Sequence, residues 1–270
     1  MKKFVALILA LTLALTLAAC GGKAENKENK VIKVGASPAP HAAILEQTKD
    51  ILAEEGYTLE IVTFDDYVLP NKSLDARELD ANYFQHITYM KNFNDEFGTK
   101  MVSAAGIHYE PFGIYAGKSS DLAALADGAK IAVPNDATNE ARALLLLEQE
   151  GLIKLKDGAG ITATKADIAE NPHNFDIVET KAELLTTVLQ DVDVAVINGN
   201  YAINAGLQVQ NALAVEAADS AAAEAYVNVI AVNEGDENSE KIQALVKALK
   251  SETVKTYISD TYEGAVVTMD

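Results

Sequence analysis

Only two arginines occur in the 270-residue chain, Arg77 and Arg142, against twenty lysines, so a planar and permanently charged carboxylate binder can stand at just two places. Arg142 follows Asn135-Asp136-Ala137-Thr138-Asn139-Glu140-Ala141, one turn inside a helix that comes directly after an apolar strand. Unpaired N–H groups at such a helix start, with a guanidinium one turn in, suit a ligand carboxylate. The plainer role for the same residue is an ion pair with Glu140 or another neighbour. Arg77, among acidic and polar residues, reads as part of a solvated face. Aromatic residues are as uneven as arginines: of the 17 Phe and Tyr, 11 fall between Tyr57 and Tyr115. Tyr67, Tyr83, Phe84, His86 and Tyr89 suit the wall of a small-molecule pocket with a few polar tips, although core packing produces such clusters too. Phe93 and Phe97, four apart on a helix, read as core.

For catalysis the residues offer little. No Ser stands in a GxSxG setting, no glycine-rich phosphate loop occurs, and neither CxxC nor HExxH spacing is present. His41, His86, His108 and His173 fall in unrelated contexts, so the expectation is no catalytic centre, no metal site and no cofactor. The formal charge of −18 argues against nucleic acid as a partner, because phosphate binding needs clustered cations.

The elements that position these residues alternate between short apolar runs and longer helical-period segments, the pattern of an α/β protein. Strands are expected over Val31–Ala36, Leu59–Phe64, Lys130–Val133, Val192–Ile197 and Val227–Val232, and helices over about His41–Glu55 and from an N-cap at Thr138 to Gly151. LDARELDANYFQHITYM and LLTTVLQDVDVAVINGNYAINAG share one grammar, with Asn82 and Asn198 each expected at the carboxyl end of a strand, followed by aromatics that open a helix. Open α/β sheets bind ligands at that edge. Two similar lobes follow: residues 31–115 with 229–270, and residues 116–228, with a helix opening near Ser119-Ser120.

The first residues have a separate purpose. Lys2 and Lys3 precede an apolar run from Phe4 to Ala19, which suits a secretory signal and is too short for a stable membrane span. It ends in Leu17-Ala18-Ala19-Cys20, which resembles the lipobox of bacterial lipoproteins, and Cys20 is the only cysteine. The resemblance implies cleavage after residue 19 and diacylation of Cys20. Residues 23–30, KAENKENK, read as a flexible tether. The expected location is the cell membrane, lipid-anchored on the extracytoplasmic face, with the long tether favouring a Gram-positive surface.

Five strings carry a wider resemblance: Phe64-Asp65-Asp66-Tyr67-Val68-Leu69-Pro70-Asn71, Asp80-Ala81-Asn82-Tyr83-Phe84-Gln85-His86, Ala132-Val133-Pro134-Asn135-Asp136 with Thr138-Asn139 and Arg142-Ala143-Leu144, Val196-Ile197-Asn198, and Tyr226-Val227-Asn228. In this order they closely resemble the NlpA-type methionine-binding lipoproteins, solute-binding components of methionine ABC importers. The resemblance implies a two-lobed, periplasmic-binding-protein-like (type II) α/β fold that closes a cleft on L-methionine and delivers it to a separate permease and ATPase. It implies that Arg142 grips the α-carboxylate, that Asn198 and Asn228 bond the amino-acid backbone, and that Tyr67, Phe84, His86 and Tyr89 surround the thioether. Family members that take D-methionine, other amino acids or short methionyl peptides keep those ligands open here. Outside this reading stand a surface adhesin or structural lipoprotein on the same fold and, third, an enzyme.

Overall fold

A computed structural model describes residues 30–216 and 224–269. The expected signal peptide, Cys20 and most of the tether lie outside the described residues. Residues 31–270 form one compact unit. Its first part runs β1 (Val31–Ala36), α1 (Ala43–Glu46), α2 (Lys49–Glu54), β2 (Thr58–Thr63), α3 (Leu69–Asp75), β3 (Ala81–His86), α4 (Ile87–Phe97) and β4 (Met101–Tyr109). There follow β5 (Gly113–Ala116), β6 (Lys130–Pro134), α5 (Ala137–Gln149), β7 (Lys154–Leu155), β8 (Ile168–Glu170), β9 (Asp176–Thr180), β10 (Val194–Ile197), α6 (Gly199–Asn204) and β11 (Ala214–Val215). The chain closes with β12 (Asn228–Asn233), α7 (Glu240–Leu249), α8 (Glu252–Tyr262) and β13 (Val267–Thr268).

Two main sheets organise these elements. One has the order β13-β4-β12-β3-β1-β2 and the other β11-β5-β10-β6-β9. In each, parallel strands joined through helices meet antiparallel strands that arrive from elsewhere in the chain: β12 against β3 and β4, and β5 against β10. Burial on both faces accounts for the nearly unbroken apolar runs of β10 and β12, since helices cover both sides of such strands. Ile32, Val34, Leu45, Leu52, Leu245 and Leu249 form one core of the six-stranded sheet, and Leu74, Phe84, Tyr89, Met90 and Phe93 the other. The five-stranded sheet packs Ile131, Val133, Val194 and Val196 against Leu144 and Leu147 of α5.

Several expectations are corrected. The chain passes from the first sheet to the second between Tyr109 and Gly113, so β5 belongs to the second sheet rather than with residues 31–115; it returns at Asn228. The helix expected over His41–Glu55 is an irregular turn and two short helices, with Thr48 at the break donating its hydroxyl to the Leu45 carbonyl at 2.8 Å. Near Ser119-Ser120 only a single turn forms, Leu122–Ala124, opened by Asp121, whose side chain accepts from the Ala123 N–H. The N-cap of α5 is Asp136, whose carboxylate accepts from Asn139 N–H at 3.0 Å, and Thr138 lies within the first turn. Asn82 is inside β3, where its amide joins Asn71 and Gln85 in a buried network; the strand-end position is held by His86. Phe93 is buried, but Phe97 is 47% exposed, with Lys72 over its ring.

Candidate functional site

Arg142 projects from the second turn of α5 into a narrow cavity of about 20 Å³, room for little more than a single water molecule. The same cavity is lined by Asn198, Asn228, Tyr67, Phe84, His86 and Tyr89, so all seven residues singled out in the sequence surround one space. Gln85, Glu110, Asn139 and Asn200 join them.

The local sequence accounts for these positions. Asn198 is the N-cap of α6, reached directly from the buried strand β10, and Asn228 opens β12 where the chain returns to the first sheet. His86 ends β3 and caps α4, its Nδ1 accepting from the Tyr89 N–H at 3.0 Å. That fixes the remaining proton on Nε2, which donates to Asn139 Oδ1 at 3.2 Å. The same oxygen accepts from Asn198 Nδ2 at 2.8 Å, so Asn139 ties the end of β3 to the end of β10. Its own amide is held by Asp136 at 2.9 and 3.0 Å. Burial pushes the Asp136 carboxyl upward, opposed by these hydrogen bonds.

Arg142 is held from one side. Its Nε lies 3.2 and 3.1 Å from the two carboxylate oxygens of Glu216, its Nη2 2.5 Å from Glu216 Oε2 and 2.8 Å from the Glu110 carbonyl. Tyr109 donates its hydroxyl to Glu216 as well. The guanidinium lies 4.2 Å from the Tyr226 ring centre and 4.8 Å from that of Phe112, a packing that suits a flat cation. Burial lowers its affinity for protons, but the Glu216 carboxylate reverses that and leaves the net shift upward. Nη1 makes no hydrogen bond among the described residues. The ion pair with Glu140 does not form; Glu140 instead accepts from the Lys165 N–H. Arg77, with a side chain 66% exposed, pairs with Asp236.

At the other end Tyr67, Phe84 and Tyr89 pack edge-on or tilted, with ring centres 5.7 Å apart from Tyr67 to each of the others. Tyr67 donates to Asn200 Oδ1 at 2.6 Å and Tyr201 to the Asp65 carbonyl at 2.9 Å, so loops on the first sheet meet α6 on the second.

Two of the four histidines are not in unrelated contexts, whereas His173 stays apart, paired with Asp127. His41 and His108, both fully buried, converge on Glu110, with potential ligand atoms of the three within 4.8 Å of one another. Such a set has the donor chemistry of a divalent-metal site, but these atoms already bond one another: His108 Nε2 is 2.8 Å and His41 Nε2 3.3 Å from Glu110 Oε1, and His41 Nε2 is 3.0 Å from Asn228 Oδ1. Glu110 also packs under α6, where a Cβ on Gly199 would sit 2.8 Å from its Cβ, so only glycine permits the approach.

Glu110, Glu216, Asn139, Asn200, His41 and His108 were missed in the sequence. A signal existed for Asn200, two residues past Asn198, and for His108 and Glu110, two apart on one face of a strand end. Glu216, 74 residues from Arg142, gave none.

Known proteins resemble this chain over nearly its whole length. The chain is 38% identical over 274 residues to the methionine-binding lipoprotein MetQ of Bacillus subtilis, covering 99% of this chain and 98% of the relative. It is 39% identical over 262 residues to the D-methionine-binding lipoprotein MetQ of Salmonella typhimurium, covering 96% and 94%. A nutrient-binding protein from Burkholderia cenocepacia, solved bound to methionine, superposes with a TM-score of 0.85 at 43% identity over 88% of this chain and all of the other. Residues 32–269, which hold both sheets and every residue of the cavity, match the family model described as NlpA lipoprotein, and the chain belongs to that family.

Proposed function

We propose that this protein is the extracytoplasmic solute-binding component of an ABC importer, capturing L-methionine and handing it to a separate permease and ATPase. The observation that carries the reading is Arg142, buried at the cavity with Nε and Nη2 fixed by Glu216 and the Glu110 carbonyl, opposite a wall of Tyr67, Phe84 and Tyr89. In this reading Arg142 receives the α-carboxylate, Asn198 and Asn228 bond the amino-acid backbone, and Tyr67, Phe84, His86 and Tyr89 surround the thioether. The two lobes are residues 31–109 with 228–270, and residues 113–216, each built on one main sheet. Names and ligands of relatives support methionine, and both the L-form and the D-form enter the test because one relative is named for D-methionine. Binding and transfer are the whole activity in this reading, with no chemical turnover.

Anchoring is through Cys20, diacylated after cleavage at residue 19. No helix among the described residues is long and apolar enough to cross a membrane. Cys20→Ala is expected to move the protein from the membrane fraction to the soluble one; retention in the membrane overturns the lipid anchor.

The binding test is a thermal-shift panel of amino acids on protein unfolded and refolded to strip bound ligand. At 100 times its dissociation constant a ligand stabilises by about 2.7 kcal/mol, which at this size raises the midpoint by roughly 5–10 °C. A shift with L-methionine supports the reading. A shift with D-methionine or another amino acid alone moves the specificity, and no shift with any of them favours an adhesin.

A further inference from the structure

Among the described residues, one carboxylate in the cavity has no cation of its own. Arg142 is engaged by Glu216, and it touches Glu110 only at the main-chain carbonyl. The Glu110 side chain, 5% exposed as a residue, is met instead by His108 Nε2 and His41 Nε2. Burial pulls His108 to about 3 and His41 to about 4, so near neutral pH both imidazoles are uncharged donors. Tyr83 reinforces this: its hydroxyl meets His108 Nδ1 at 2.5 Å, which leaves the ring proton on Nε2, facing Glu110. Burial also drives the Glu110 carboxyl upward, the expected response of a desolvated carboxylate lacking a full positive partner. Nearby on the cavity wall, Asn198 Oδ1 is buried and accepts no hydrogen bond among the described residues.

A carboxylate without a cation and an amide oxygen without a donor, both on the wall that holds Arg142, call for a positively charged group with several N–H bonds. We propose that Glu110 is the ammonium-binding residue of this cavity, with Asn198 Oδ1 as a second acceptor, and that it selects a free primary α-amine over N-acylated and α-hydroxy analogues. This rests on the amino-acid reading above. His41 and His108 are positioning residues: they hold the carboxylate in place without neutralising it, so the charge is spent on the ligand.

The test is calorimetric titration of the full chain in detergent with L-methionine, N-acetyl-L-methionine and the α-hydroxy analogue of methionine. The wild-type protein is expected to bind both analogues at least about 100-fold more weakly than L-methionine, because an unmet buried carboxylate penalises them. Glu110→Gln is expected to weaken L-methionine by about 30- to 100-fold and to shrink its advantage over the hydroxy analogue to less than about tenfold. Should that variant not fold, the wild-type panel alone decides. Hydroxy-analogue binding within about threefold of L-methionine in the wild type overturns the assignment and leaves the amino-acid reading intact. Failure of the wild type to bind any amino acid overturns both. A melting shift with Zn²⁺ alone, lost in Glu110→Gln, also overturns it, since the metal is then the missing cation.

Discussion

The two ends of the cavity are built on different physics. At the Arg142 end, charged and polar atoms are fixed by directed bonds: two carboxylates, one guanidinium, two neutral imidazoles and three Asn amides, each tied to residues far away in sequence. At the Tyr67 end, rings lie against rings at 5 to 6 Å, and the direct bonds are hydroxyls at the periphery. Directed bonds to a charge reject a ligand that lacks the matching group, whereas apolar contact separates ligands differing by a methylene only weakly. The polar end therefore fixes the ligand's class, and the aromatic end grades its side chain.

The sharpest way to break that contrast is Arg142→Ala. It should abolish measurable L-methionine binding by calorimetry and, because Glu216 is left buried without its partner, lower unfolding free energy by about 3–5 kcal/mol in denaturant melts. Adding Glu216→Gln should recover part of that stability and none of the binding, which separates folding from recognition. If Arg142→Ala binds normally, the polar end does not define the class.

Acidification probes both ends at once. Burial holds His41 at about 4 and His86 and His108 at about 3, against 6.5 in the unfolded chain. Protons therefore enter the unfolded chain first: stability is complete above pH 6.5 and falls as pH drops from there toward 4. At pH 5 the loss is on the order of 2 kcal/mol per histidine. Glu110 and Asp136, raised by burial, take up protons earlier in the folded state and offset part of the fall. Thermal melts from pH 7 to 5 should show a declining midpoint, with a shallower decline in His86→Gln; a flat profile contradicts neutral buried imidazoles.

Tyr83→Phe removes the hydroxyl that orients His108. About 1–2 kcal/mol of stability should go with it, read in denaturant melts. Phe84→Leu should have the smallest effect: a loss of about 0.3–1.5 kcal/mol in L-methionine affinity from the sulfur–ring contact, with norleucine, which has no sulfur, little changed. Equal losses for both ligands would show that shape rather than sulfur grades the side chain.

How much of this was legible in the sequence depended on whether a residue was marked locally. Arg142 and Asn198 were, being a rare cation one turn into a helix and an amide ending an apolar strand. The two-sheet α/β architecture was legible for the same reason, because periodicity and turn residues are local. Asn82 shows the limit: in sequence it matches Asn198, but β3 continues to His86 and buries the amide against Asn71 and Gln85. Thr138 and Asp136 are both competent caps, and only the backbone trajectory selects Asp136. Glu110, Glu216 and the paired histidines acquire meaning through contacts spanning up to 187 residues, which no window of sequence contains.

The tyrosines that close the cavity give the molecule an optical property. The chain has no Trp and 10 Tyr, so its ultraviolet emission is tyrosine emission, free of the indole that usually masks it. Tyr67, Tyr89 and Tyr201 stand ring to ring, and the Tyr67 and Tyr201 hydroxyls lie on bonds joining the loop after β2 to α6. Whatever enters or leaves the cavity alters the surroundings of those phenols, so occupancy can be followed as a change in intrinsic fluorescence without attaching a dye.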